Sequence, residues 1–162
     1  MKTSKTLSVF FLASAFLYLG CDPGRLLDKN IDLEEKTWLV DYKPAFEFEV
    51  SDTTSMYSIF FNVRNSIDYR FTNLYITYYL LNPEGTQLSS ELVNFNLFHP
   101  KTGKPYGNGL GDIFDHQLPI IKNRKFDKSG KYKLIYEQYM RTDSLTGIYA
   151  IGARVEKHMD NR

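Results

Sequence analysis

Cysteine is almost absent from this 162-residue chain; Cys21 is the only one, so no internal disulfide can form. Histidine is nearly as scarce. His99, His116 and His158 stand apart, and no His-x-x-x-His or Cys-x-x-Cys spacing points to zinc. No serine sits in a Gly-x-Ser-x-Gly turn, so the hydrolase nucleophile elbow is missing. No Gly-x-x-x-x-Gly-Lys-Ser/Thr loop is present to cradle a phosphate. An excess of either charge is lacking too: 20 Lys+Arg face 19 Asp+Glu, a formal net charge of +1. Such balance leaves no electrostatic footprint for nucleic acid. Beyond the N-terminus there is no second long apolar run, no sustained 3.6-residue period, no repeat and no low-complexity tract. The expectation is a protein with no catalytic residue, no metal ion, no cofactor and no nucleic-acid partner.

What is present begins at the N-terminus. Met1 to Lys5 carries two lysines and no acid, Leu7 to Leu19 is almost unbroken apolar, and Gly20-Cys21 follows. A positive start, a short apolar run and a small residue before the cut make a secretory signal. The run is too short to span a bilayer, which takes roughly 20 apolar residues. Leu17-Tyr18-Leu19-Gly20-Cys21 resembles a lipobox, with Tyr18 where leucine is usual. Residues 1–20 are therefore expected to be cleaved and Cys21 to be lipidated, with diacylglycerol on its sulfur and a further acyl chain, such as palmitate, on its nitrogen. Each buried CH₂ contributes about 0.8 kcal/mol, so several chains together anchor stably. Cleavage removes Lys2 and Lys5 and no acid, which takes the formal charge from +1 to −1. The remaining chain is long enough for one domain with a real core. Residues 21–37, polar for the most part, are expected as the lipidated cysteine and a tether, and residues 38–158 as the folded domain.

Within that domain the chain alternates with period two. Phe46, Phe48 and Val50 oppose Glu47 and Glu49, the pattern of a half-buried strand. Met56 to Val63 puts Tyr57, Ile59, Phe61 and Val63 on one face. Asn73 to Leu81 is apolar or aromatic on both faces, which suits a central strand. Gln87–Leu92 and Val93–Phe98 read as two shorter strands, Ile113–Ile121 as another, and Lys131–Met140 and Gly147–Val155 as the last two. Turn signals lie at Asn82-Pro83-Glu84-Gly85 and Asp127-Lys128-Ser129-Gly130. Gly130-Lys131-Tyr132 at a strand entrance is similar to a tyrosine corner. Trp38, the single tryptophan, is expected in the core. These signs predict an all-β fold, an antiparallel β-sandwich of jelly-roll-like or immunoglobulin-like type.

One polar cluster stands out. Asp112, Asp115 and His116 follow the segment His99–Gly111, which holds Pro100, Gly103, Pro105, Gly107, Gly109 and Gly111. So long a loop in a compact domain is often functional. With His99, the three could converge on a cation or do acid–base work. The plainer reading has Asp112 and Asp115 capping turns and His116 satisfying nearby carbonyls. In a strand, Asp112 and His116 share one face while Asp115 points to the other, which argues against a tight site. The cluster, together with Gly109 and Gly111, is the candidate contact surface for a partner protein. Tyr75, Tyr78 and Tyr79 could instead stack on sugars, although strand aromatics normally pack inside.

Several blocks carry a family resemblance. They are Trp38-Leu39-Val40-Asp41, Phe46-Glu47-Phe48, Asn62-Val63-Arg64-Asn65, Asn73-Leu74-Tyr75, Leu97-Phe98-His99-Pro100 through Pro105, Gln138-Tyr139-Met140-Arg141 and Gly152-Ala153-Arg154-Val155-Glu156. The most specific block is Gly107-Asn108-Gly109-Leu110-Gly111-Asp112-Ile113-Phe114-Asp115-His116. Together they resemble the gliding-motility lipoproteins called GldH, found in Bacteroidota, over nearly the whole mature chain. The resemblance implies a cell-envelope lipoprotein needed for surface gliding, with no enzymatic activity. It implies partners among other gliding and secretion envelope proteins, since that machinery overlaps with type IX secretion. Residues 22–27 contain no acidic cluster of the sort that sends such lipoproteins to the cell surface, so the domain is expected to face the periplasm, on the outer membrane rather than the inner. A lipid-anchored carbohydrate-binding sandwich is the alternative.

Overall fold

Alternation of apolar and polar residues decides where the strands form. The structure, a computed structural model, describes residues 24–158. The signal peptide and Cys21 lie outside the described residues. Eleven strands follow: β1 (Arg25–Asp32), β2 (Thr37–Leu39), β3 (Ala45–Val50), β4 (Met56–Ser66), β5 (Asn73–Leu81), β6 (Gln87–Asn96), β7 (Asn108–Leu110), β8 (Ile113–Lys125), β9 (Gly130–Gln138), β10 (Ser144–Thr146) and β11 (Ile148–Lys157). A single 3-10 turn, Glu34–Lys36, separates β1 from β2. The predicted inward faces are buried: Phe46, Phe48 and Val50 on β3, Tyr57, Ile59, Phe61 and Val63 on β4, and Leu74, Ile76, Tyr78 and Leu80 on β5.

Pairing is nested. β1 pairs with β11, β2 with β10, β3 with β9, β4 with β8 and β5 with β6, all antiparallel. The chain is thus one long antiparallel ribbon, folded so that its first strand meets its last. Further ladders, β11 with β4 and β5 with β9, wrap that ribbon into two sheets. One sheet has the order β1-β11-β4-β8-β7 and the other β3-β9-β5-β6, with β2 and β10 forming a small third ladder. This is the double-sheet wrapping of a jelly roll and not the immunoglobulin order, which settles the two sandwich types left open by the sequence.

The two inner faces meet through aromatic rings. Tyr136 of β9 meets Phe61 of β4 edge-on at 4.9 Å and Phe46 of β3 at 5.7 Å. Trp38 is fully buried, stacks on Phe61 at 6.2 Å, and donates its indole N–H to the Tyr42 carbonyl at 2.8 Å. Burying a ring of this size stabilises by about 1.5–3 kcal/mol, and the donated bond removes the penalty of an unpaired indole. A second aromatic group surrounds Phe126, which lies 4.4 Å from Tyr132 and 5.5 Å from Tyr57.

β1, β4, β6 and β9 start at one end of the sandwich, where Arg25, Met56, Lys125 and Lys157 also lie; this end is the base. The loops Ile67–Thr72, Leu97–Gly107 and Tyr139–Asp143 and the β7–β8 turn lie at the opposite end, the crown.

Two expectations need correction. Within the stretch 21–37 expected as lipidated cysteine and tether, the described residues are not a tether, because β1 occupies Arg25–Asp32 and pairs with β11 from Arg25↔Glu156 to Asp32↔Ala150. Its charged residues misled the reading: β1 is an edge strand whose outward positions are solvated. Among the described residues the folded domain therefore begins near Gly24 and not at Trp38. Gln87–Leu92 and Val93–Phe98 are also not two strands. They form one strand, β6, paired with β5 along its length.

Candidate functional site

The glycine-rich segment is more ordered than a bare loop. Its first part folds back at Gly103, whose φ is +68°. The Gly103 N–H donates to the His99 carbonyl, and the His99 N–H to the Lys104 carbonyl, both at 2.8 Å. The Tyr106 N–H reaches the Leu97 carbonyl at 2.9 Å and closes the excursion. Next comes β7, which runs beside β8 with Asn108 opposite Asp115, Gly109 opposite Phe114 and Leu110 opposite Ile113. Gly111 and Asp112 make the two-residue turn. Of these two only Gly111 has positive φ, +68°, the sign a first central residue needs in a II′ hairpin. Gly109 is required by space: a Cβ there would lie 2.1 Å from the Ile113 carbonyl oxygen.

The hairpin separates the three polar residues. Asp115 lies on the outer face of its sheet and takes a bidentate pair from Arg64, Nε at 2.7 Å and Nη2 at 3.2 Å. His116 points the other way and is buried. A Cβ at Gly107 would lie 2.7 Å from its Nε2, so the loop backbone rests directly on the imidazole. Among the described residues that Nε2 has no hydrogen-bond partner. Burial holds the His116 pKa below its ordinary 6.5, and the nearby Asp115 carboxylate offsets part of that shift. Asp112 is exposed at the turn, and its carbonyl accepts the Ile67 N–H at 2.8 Å. His99 is spent locally: its Nδ1 accepts the Lys101 and Thr102 N–H groups at 3.2 and 3.3 Å. The four do not converge, and no cluster of three or more His, Cys, Asp or Glu placed to hold a metal occurs among the described residues.

What the hairpin offers is surface. Leu110 at its tip is 94% exposed, and Tyr106, before β7, is exposed as well. On the outer face, Asp115 and Arg64 border a depression of about 290 Å³ lined also by Asn30, Asn62, Asn108 and Gln117. Asn30, Gly152, Asn62 and Gln117 stand in one cross-strand row over β1, β11, β4 and β8. The proposed sugar-stacking trio is broken, because Tyr78 is buried and donates to Glu91, while Tyr75 and Tyr79 face outward. The sequence reading gave no role to Arg64, or to Phe71, Leu92 and Tyr139, which form an outward apolar group with Tyr75. Arg64 carried one signal, as the lone charge in an otherwise apolar and amide-rich strand.

The comparisons agree with the resemblance stated above. Residues 25–155 match the family described as GldH lipoprotein. A gliding motility lipoprotein GldH homolog of Christiangramia forsetii is 35% identical over 158 residues, covering 93% of this chain and 95% of that one. The gliding motility lipoprotein GldH of Flavobacterium johnsoniae is 29% identical over 157 residues, covering 93% and 96%. Among solved structures, the VP2 subviral particle of infectious bursal disease virus overlaps 87% of this chain and 35% of its own, at 17% identity and a TM-score of 0.42. With the family match spanning β1 to β11, this lipid-anchored envelope protein belongs to the GldH lipoprotein family.

Proposed function

We propose that the protein is a non-enzymatic component of the gliding-motility machinery, held in the envelope by the lipid on Cys21 and acting through contacts with other envelope proteins. The observation that carries this reading is the match to gliding-motility lipoproteins over nearly the full length of both chains. The disposition of the fold supports it. β1 starts at the base, four residues after Cys21, so the crown with Leu110, Tyr106, Ile67 and Tyr139 is presented away from the anchor. Asp112 and Asp115, with Gly109 and Gly111 shaping their hairpin, belong to the contact surface; His116 supports it from below. The domain faces the periplasm, on the outer membrane, and its machinery is linked to type IX secretion.

The test is genetic. The gene is deleted in its own host and restored as wild type or as Cys21→Ala, and colony spreading is scored beside protein secretion. Loss of both, restored only by the lipidated form, is the expected result. Normal spreading and secretion in the deletion strain would overturn the reading.

A further inference from the structure

The two sheets have four edges, and three are blunted. β7 is only three residues long. β1 carries Arg25, Asp28, Lys29 and Asp32 along its length. β3 is short, follows Pro44 and carries Glu47 and Glu49. These are the devices by which proteins prevent another strand from adding to a sheet: short strands, edge charges and proline.

β6 is the least protected of the four. It is ten residues long and contains neither lysine nor proline. Its one charge, Glu91, is engaged by the Tyr78 hydroxyl at 3.2 Å. Its pairing with β5 runs from Asn73↔Asn96 to Leu81↔Gln87, and among the described residues no other backbone hydrogen bond reaches Gln87–Asn96. Alternate N–H and C=O groups along its other side are therefore open. Beside its crown-side half lies an apolar hollow of about 440 Å³ lined by Phe71, Tyr75, Leu92, Tyr139, Met140 and Arg141. Tyr139 is 63% exposed, Leu92 49% and Tyr75 38%.

We propose that β6 is a docking edge that takes an extended strand from a partner envelope protein, with an apolar side chain of that strand packed against the exposed Leu92 that borders this hollow. The proposal rests on the protein-contact reading and names its surface. Open backbone groups in a row accept another strand: the main-chain bonds supply affinity, and the apolar contact with Leu92 supplies selectivity. A second copy of this chain is the wrong occupant for antiparallel pairing. β6 runs from base to crown, so an antiparallel copy would run from crown to base and carry its own Cys21 at the far end. Ten strand residues span roughly 33 Å, whereas the four residue steps from Cys21 to Arg25 reach at most about 14 Å. Two copies anchored in one membrane leaflet therefore cannot pair in this way.

The experiment uses the full lipidated protein in its host cells. A photoreactive benzoyl-phenylalanine is placed at Asn94, beside the hollow, or at Glu47 on the blunted β3 edge, and cells are irradiated. The expected result is one discrete adduct from Asn94, heavier than the monomer and different in mass from a dimer, with none from Glu47. That adduct should fall at least tenfold in L92K, which puts a charge on the exposed edge. Ser89→Pro and Ser90→Pro supply a second check. Successive amides face β5 and the open side alternately, so one of the two prolines leaves the β5 ladder intact. The variant that keeps the wild-type melting temperature should lose the adduct. Absence of an adduct, an adduct of dimer mass, or one that persists in L92K would overturn the proposal. Colony spreading is not the readout, so a failure of the gliding reading is seen separately in the deletion strain.

Discussion

The Tyr132 hydroxyl donates a 2.7 Å hydrogen bond to the backbone carbonyl of Lys128, four residues upstream, and so ties the turn before β9 to the core ring that closes over it. Tyr57 makes a matching bond to the Asp52 carbonyl at 2.6 Å before β4. Both rings pack on Phe126. A neutral hydrogen bond of this kind contributes about 1 kcal/mol net. Tyr132→Phe and Tyr57→Phe should each lower the urea midpoint by the equivalent of about 1–2 kcal/mol with the slope unchanged. Because the rings share Phe126, the double variant should depart from the sum by at least about 0.5 kcal/mol.

Truncation tests the domain boundary directly. A chain beginning at Gly24 retains β1 and should fold with the circular dichroism and cooperative melt of the full mature domain. A chain beginning at Trp38 loses β1 and the buried Leu33, uncovers one side of β11, and should express insolubly or melt without cooperativity. Equal melting curves for the two chains would show that β1 is dispensable.

His116 should make stability pH-dependent. Its folded pKa is lowered by burial, so between that value and the ordinary 6.5 the unfolded chain binds the proton and the folded chain does not. The domain is therefore destabilised as pH falls through 6.5, until the folded-state pKa is passed. Urea midpoints measured at several pH values below neutral should decline in the wild type, and His116→Gln should flatten that decline. Substituting His116 consequently probes the fold, and contact function at the hairpin is better probed by Asp112→Ala with Asp115→Ala.

The hairpin offers a contrast between charge and shape. Asp115 and Arg64 are 57% and 44% exposed, and exposed ion pairs contribute about 0–1 kcal/mol, so Asp115→Ala should scarcely shift the melt. Gly107→Ala is different. Its Cβ would lie 2.7 Å from the Asp115 carbonyl oxygen as well as from His116, and backbone cannot rotate away. A cost of about 1–3 kcal/mol is expected, with faster amide exchange across Asn108–Leu110.

Legibility followed burial on one side. β3, β4, β5 and β9 were readable because each presents one face to the core, and period-two alternation records that locally. β1 was not, because Arg25, Asp28, Lys29 and Asp32 make an edge strand look like a linker. β6 was split in two because, with most of its residues exposed, little of it is held to an apolar pattern. At the site, the opposed directions of Asp115 and His116 were foreseeable from strand alternation, whereas β7 and the turn at Gly111 and Asp112 were hidden in what read as a loop. The partnership of Asp115 with Arg64, 51 residues away, was not foreseeable either.

By itself the sequence determined the all-β class, the inward residues of the central strands and the family, because all of these are written in neighbouring residues. Only the tertiary structure decided the nested ribbon that makes this sandwich a jelly roll, the membership of β1 in a sheet, and which edge is left open. Those depend on which strands meet across long stretches of chain, and period-two patterns that look alike in sequence cannot say which neighbour each strand will find.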